Sequence, residues 1–277
     1  MPVEKLRAMQ EWSDRFVKPS RGIEIKPRPA AGVPVEWITP GGPLLQGMIL
    51  YVHGGGWTVG LHNLERRMLG RICQAATVPA MAVDYRLAPE HPFPAALDDC
   101  LAVYRWLSTS RTSPRHMVVL GASAGGNLAL ATLMALRDAG DPLPAAAVCI
   151  SPMIDLAGTG ESFRVDNDPA QTAEFALAMA RYYAGGQDPR LPLLSPLHGD
   201  WRGLPPLLVH VGADEILLSD ATRLREDAQR AGVDVTLVIW PKMWHGWHLF
   251  VPYLPEARQA VHDIGTFVRE RLKLACI

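Results

Sequence analysis

The chain has 277 residues, with 27 Lys and Arg against 28 Asp and Glu and a net charge of −1. With the basic residues scattered, this balance argues against nucleic acid or an anionic membrane as the main partner. The length allows one large α/β domain or two small ones with a sizeable core. No apolar run reaches the ~18 residues a membrane span needs, and the stretch Met1–Arg7 lacks a charged-then-apolar signal pattern, so a cytoplasmic protein is expected.

In chain order, residues 1–20 carry Leu6, Met9 and Phe16 at helical spacing and predict an amphipathic helix. Ile23–Ile25 and Val33–Ile38 read as short antiparallel edge strands. From about residue 46 strands and helices alternate: strand Met48–Val52, helix Leu64–Ala76, strand Val78–Tyr85, helix Ala95–Ser108, strand His116–Leu120 and a helix ending at Gly140. Strands at Ala145–Ile150 and Leu207–Val211, a helix at Ser219–Ala231 and a strand at Val233–Ile239 follow. A terminal helix places Leu254, Ala257, Val261, Ile264, Val268 and Leu272 on one face. This rhythm predicts an α/β fold, with a mostly parallel central sheet flanked by helices on both faces. Residues 152–204 break it, with one clear helix at Thr172–Ala184. An insertion of that length at the carboxyl end of a strand is expected to have a purpose, and with residues 1–20 it would form a small helical cap on a single 1–277 domain. Cys73, Cys100, Cys149 and Cys276 are far apart, without metal or redox spacing, and read as buried free thiols.

Two glycine-rich stretches carry the chemistry. Gly121-Ala122-Ser123-Ala124-Gly125 lies between a β-branched apolar run and a helix former, as a nucleophile elbow requires: a tight turn with Ser123 at its tip and glycines where strand and helix approach. His53-Gly54-Gly55-Gly56-Trp57 leaves the end of the Met48–Val52 strand, so both stretches fall at the sheet edge where α/β sites are built. The N–H groups of Gly55, Gly56 and Ala124 are candidates for an oxyanion hole. Either motif alone is weak evidence; together, each at the end of a strand, they read as a serine hydrolase.

Nine histidines compete to be the base. His245 and His248 stand just past the last predicted strand, where a loop returns to the Ser123 edge. His53 reads as a shaper of the glycine loop. The acid follows the preceding strand at Asp214-Glu215, giving the order serine, acid, histidine, and the position by itself leaves the two open. Trp57, Trp244 and Trp247 flank the motifs and are expected to wall the substrate pocket.

The HGGGW loop, the run Asp84-Tyr85-Arg86-Leu87-Ala88-Pro89-Glu90-His91-Pro92-Phe93-Pro94-Ala95, the GxSxGG elbow and the segment from Ser195-Pro196-Leu197 to His245-Gly246 resemble the hormone-sensitive-lipase-like bacterial carboxylesterases. The matches span most of residues 46–270. The resemblance implies an α/β-hydrolase fold with Ser123 as nucleophile, His245 as base, Gly55, Gly56 and Ala124 as oxyanion donors, Arg86 and Glu90 in structural roles, and Asp84 holding the glycine loop. Two positions depart from the family: Ala122 stands where Asp or Thr is common, and Ile216 follows the acid where proline is usual. The family register puts the acid one residue ahead of that aliphatic, at Glu215 rather than Asp214.

The expected activity is hydrolysis of small carboxylic esters through an acyl-enzyme, with short-to-medium acyl chains preferred. No metal or organic cofactor is called for, and neither nucleic acid nor membrane is an expected partner. The alternatives are a ligand-binding receptor of the same fold without turnover, disfavoured because His245 is retained, and an amidase or lactonase with the same triad. The apolar, β-branched last strand, at or near a sheet edge, points to a homodimer.

Overall fold

The computed structural model describes residues 2–165 and 167–272. Its eight strands are β1 (Ile23–Ala30), β2 (Val33–Pro40), β3 (Met48–Val52), β4 (Ala80–Val83), β5 (Met117–Ala122), β6 (Ala146–Ile150), β7 (Leu207–Gly212) and β8 (Val235–Trp240). They form one sheet in the order β1-β2-β4-β3-β5-β6-β7-β8. From β4 to β8 every pairing is parallel, and β2 runs against both of its neighbours. Seven α-helices accompany them: α1 (Val3–Asp14), α2 (Asn63–Ala76), α3 (Ala95–Ser110), α4 (Ala124–Ala139), α5 (Ala173–Ala184), α6 (Leu218–Arg230) and α7 (Pro255–Arg271).

The central strands are buried on both faces, which is why they read as continuous apolar runs. Alternation along each strand divides the core. Leu50, Val52, Val83 and Val119 pack with α3, α4 and α6, while Ile49, Tyr51, Val118 and Leu120 face α2 and α7. The register aligns the carboxyl ends: Val52 lies beside Gly121, Ala122 beside Ile150, Ile150 beside His210, and Gly212 beside Trp240. Loops leaving β3, β5, β6, β7 and β8 therefore emerge along one line.

The helix and strand types agree with the sequence reading, with shifted ends. The first helix stops at Asp14 rather than near residue 20, because Asn63 engages both the Asp14 carboxylate and its carbonyl. Phe16 lies beyond it and is 70% exposed. β2 is an interior strand, so only β1 and β8 are edges. β4 begins at Ala80, after Pro79, which has no N–H to offer a ladder. Cys73, Cys100 and Cys149 are buried free thiols, and Cys276 lies outside the described residues. Among the described residues no helix is long and apolar enough to cross a membrane.

The 152–204 segment is tied to the body by buried polar groups. Asn127 on α4 donates to the carbonyls of Met153 at 2.9 Å and Leu194 at 2.8 Å, holding both ends of the segment. Asp220 on α6 accepts from the N–H groups of Ile154 and Asp155. α1 is held by Arg7, which makes a two-pronged ion pair with Glu90 and donates to the carbonyls of Thr58 and Ala88.

Candidate active site

Ser123 sits between β5 and α4 with φ 54° and ψ −118°, a conformation unfavourable for an L residue. The turn is possible only because of its glycines. A Cβ on Gly121 would collide with the Gly125 carbonyl, and one on Gly125 with the Val52 carbonyl. The tip is pinned from below, since the Ser123 N–H donates to the Ile150 carbonyl at 2.8 Å.

The His245 Nε2 lies 3.0 Å from Ser123 Oγ, and its Nδ1 lies 2.9 Å from Glu215 Oε2. With the ring proton on Nδ1, His245 donates to Glu215 and accepts from the Ser123 hydroxyl. Glu215 is 2% exposed, and its other oxygen accepts from the Gly212 N–H at 2.6 Å and the Ser151 hydroxyl at 2.7 Å. These two bonds seat the longer glutamate side chain at the imidazole. Asp214 donates its backbone N–H to the Met243 carbonyl, and among the described residues its side chain makes no hydrogen bond. Burial opposes protonation of His245, but the Glu215 hydrogen bond and charge, followed by the Asp168 charge, outweigh it and raise its pKa above the ordinary value.

The glycine loop lies across from Ser123, with φ of +93° at Gly55 and +59° at Gly56. The N–H groups of Gly55, Gly56 and Ala124 donate to no acceptor among the described residues. Ala124 opens α4, so the helix's positive end faces the same space. Asp84 does not hold this loop: its side chain is exposed, and its backbone engages Pro34. Glu65 does so instead, accepting from the Gly54 N–H at 2.8 Å and the Tyr51 hydroxyl at 3.0 Å, while the Tyr85 hydroxyl donates to the His53 carbonyl at 3.0 Å. His53 stacks on Tyr85 and is buried beneath the loop. Arg86 pairs with Asp99 and Glu90 with Arg7, both away from Ser123.

A cavity of about 510 Å³ opens at Ser123 and His245. α1 contributes Leu6 and Met9 to its walls, and α5 contributes Phe175, Ala176 and Met179. Trp57 is in the wall, its ring stacked on Tyr183. Trp244 and Trp247 are not. Trp247 is fully buried against Trp240 and His248, and Trp244 packs on Phe250, because the turn after β8 directs both rings away from the cavity. His248 is buried with its pKa held well below the ordinary value by burial, then by His210 and His245.

Three residues at the site were not singled out in the sequence: Ser151, Glu65 and Asp168. Ser151 had a signal, since it directly follows β6 on the aligned edge. Glu65 and Asp168 sit in helix and loop contexts where acids are ordinary.

The family model described as the alpha/beta hydrolase fold matches residues 49–249. The chain belongs to the α/β-hydrolase family. An acetyl-hydrolase of Streptomyces hygroscopicus is 45% identical over 237 residues, covering 84% of this chain and 79% of the relative. An esterase of Acinetobacter venetianus is 35% identical over 265 residues, covering 95% and 87%. A crystallised esterase of the bacterial hormone-sensitive lipase family superposes with a TM-score of 0.94 at 44% identity, covering 98% of this chain and 92% of that one. Within the α/β-hydrolases this protein is thus a carboxylesterase of the hormone-sensitive lipase group.

Proposed function

We propose that this esterase works through Ser123, His245 and Glu215, by way of an acyl-enzyme on Ser123. The observation that carries the reading is the unbroken hydrogen-bonded line from Ser123 Oγ through His245 to Glu215, beside three N–H groups with no acceptor among the described residues. In the first half-reaction the Ser123 oxygen bonds to the acyl carbon as its proton passes to His245 Nε2. The carbonyl oxygen gains the negative charge, and the N–H groups of Gly55, Gly56 and Ala124 receive it. The intermediate collapses, the alcohol leaves with the proton from His245, and water repeats the sequence to release the acid. Glu215 fixes the tautomer and stabilises the imidazolium.

We further propose short-to-medium acyl chains as substrates and a single domain whose α1 and 152–204 segments form a cap. The apolar cavity of about 510 Å³ supports a bounded substrate. The relative named an acetyl-hydrolase supports it too, as does EstE5, which was soaked with p-nitrophenyl butyrate and matches with a TM-score of 0.93 at 42% identity. A series of p-nitrophenyl esters from acetate to palmitate tests the reading: the fastest turnover is expected at or below the middle of the series. Faster palmitate cleavage would overturn the chain-length assignment, and no turnover on any member would overturn the catalytic one. We also propose a homodimer through β8, supported by its place at the sheet edge and by the exposed Ile239. A monomeric mass by light scattering at micromolar concentration would overturn it.

A further inference from the structure

Asp168 is a buried carboxylate, 6% exposed, in the loop just ahead of α5. Among the described residues it has no Lys or Arg partner. Both of its oxygens lie 3.3 Å from the backbone nitrogen of His245, and Oδ1 also accepts from the Ala170 N–H at 3.0 Å. A buried negative charge without a countercharge is expensive. The Asp168 charge acts on the His245 imidazole, which on this reading becomes cationic only while it holds the serine proton.

We propose that Asp168 is a positioning residue for His245: it holds the histidine's main chain from the cap side and places a second negative charge beside the imidazolium that forms in turnover. The inference rests on the reading of His245 as the base. It links substrate seating to the chemistry, because Ala170, Gln171 and Phe175, which follow Asp168 in sequence, line the cavity. Among the described residues, the titratable groups facing the imidazole are Glu215 from the turn after β7, Asp168 from the cap loop, and His248 from the imidazole's own loop. Ser123 faces it from the elbow. Glu215 bonds directly to the ring, whereas Asp168 acts through the main chain and through space. Both carboxylates move the imidazole in the direction of protonation.

The test is the pH profile of kcat/KM for p-nitrophenyl butyrate with wild type, Asp168→Asn, Asp168→Ala and Asp168→Glu, alongside Tm. His245 must be neutral to accept the proton, so the acid limb of the profile reports its pKa. Removing the charge in Asn is expected to move that limb to lower pH by about half a unit to one unit, below the effect of a direct ion pair, and to lower the plateau about tenfold at nearly constant KM. Ala is expected to do the same with a deeper plateau loss, and Glu to keep the wild-type limb. If the plateau falls but the limb stays in place for Asn and Ala, the residue is merely structural and the proposal is overturned. It is equally overturned if both profiles superimpose on that of wild type. Should Asn fail to fold, the comparison of Glu with Ala decides by the same criterion. An inactive wild type would instead refute the proposed triad, so the two failures are distinguishable.

Discussion

The loops at the carboxyl edge of the sheet and the α1 helix beside them are held in place by different forces. Ser123, Gly54 and Glu215 are fixed by main-chain bonds into the sheet and by buried partners: Ile150 below Ser123, Glu65 below Gly54, Gly212 and Ser151 around Glu215. α1 is held by side chains near the surface, Arg7 on Glu90 and on the Thr58 and Ala88 carbonyls and Asp14 on Asn63, and it leaves Met9 and Trp12 more than half exposed. A covalent turn set into a rigid sheet can hold reacting atoms to the tolerance that proton transfer needs. Surface ion pairs are worth little and tolerate movement, which suits an element that must admit substrate. The contrast assigns the chemistry to the sheet edge and the admission of substrate to α1.

The assignment breaks most visibly if Ser123→Ala retains activity. On the pattern of serine proteases, loss of the nucleophile costs on the order of 10⁶ in kcat, with Tm nearly unchanged because the hydroxyl contributes little to packing. Residual turnover at a tenth of the wild-type rate on butyrate would remove Ser123 from its role.

Next in size is the acid. Glu215→Gln is expected to lower kcat about 10⁴-fold, the scale of the corresponding Asp→Asn change in serine proteases. Asp214→Asn should stay within a few-fold of wild type, because no hydrogen bond links its side chain to His245. Steady-state kinetics on the pair test this directly, and the reverse ranking would hand the role to Asp214.

A third measurement probes the rigidity of the sheet edge itself. His210 on β7 is buried, neither ring nitrogen has a partner among the described residues, and burial lowers its pKa to about 4. A histidine whose folded pKa lies below its unfolded value of about 6.5 contributes stability that is present above pH 6.5 and lost as pH falls toward 4. Replacement by an apolar residue removes that loss. Denaturation of His210→Leu at pH 7 and at pH 4.5 is expected to show an acid-induced fall in stability smaller than that of wild type by up to about 3 kcal/mol. An equal fall in both proteins would mean the site is solvated and less rigid than described.

The smallest effect is expected from α1. Glu90 is 52% exposed, so solvent screens its pair with Arg7. Arg7→Ala should raise KM for butyrate about threefold with kcat within twofold, the mark of lost uniform binding, and lower Tm by only a few degrees. A collapse of kcat would show that α1 supports the chemistry directly and would dissolve the contrast.

Much of this is legible in the sequence. The elbow and glycine loop carry their own geometry, since an L-residue at φ 54° between two close-packed backbones demands glycine on both sides. The place of the acid just after β7 leaves Asp214 and Glu215 open, and it is the family resemblance, with its acid directly ahead of Ile216, that points to Glu215. Trp244 and Trp247 are misplaced for one cause, since each lies beside a motif in sequence yet the local turn directs its ring elsewhere, whereas the role of Asp84 came from the family resemblance and falls to Glu65. Nearness along the chain does not determine side-chain direction once the strand ends.

The amino-acid order by itself determined the alternation of strands and helices, the parallel sheet, and the arrival of Ser123, His245 and the Asp214-Glu215 pair at one edge, all consequences of local periodicity and turn chemistry. Tertiary structure alone decided which groups support them. Ser151 reaches Glu215 across 64 residues, Asp168 reaches His245 across 77, and Arg7 reaches Glu90 across 83. No local pattern encodes such pairings, because each depends on how separate elements stack and on which charges that stacking leaves buried.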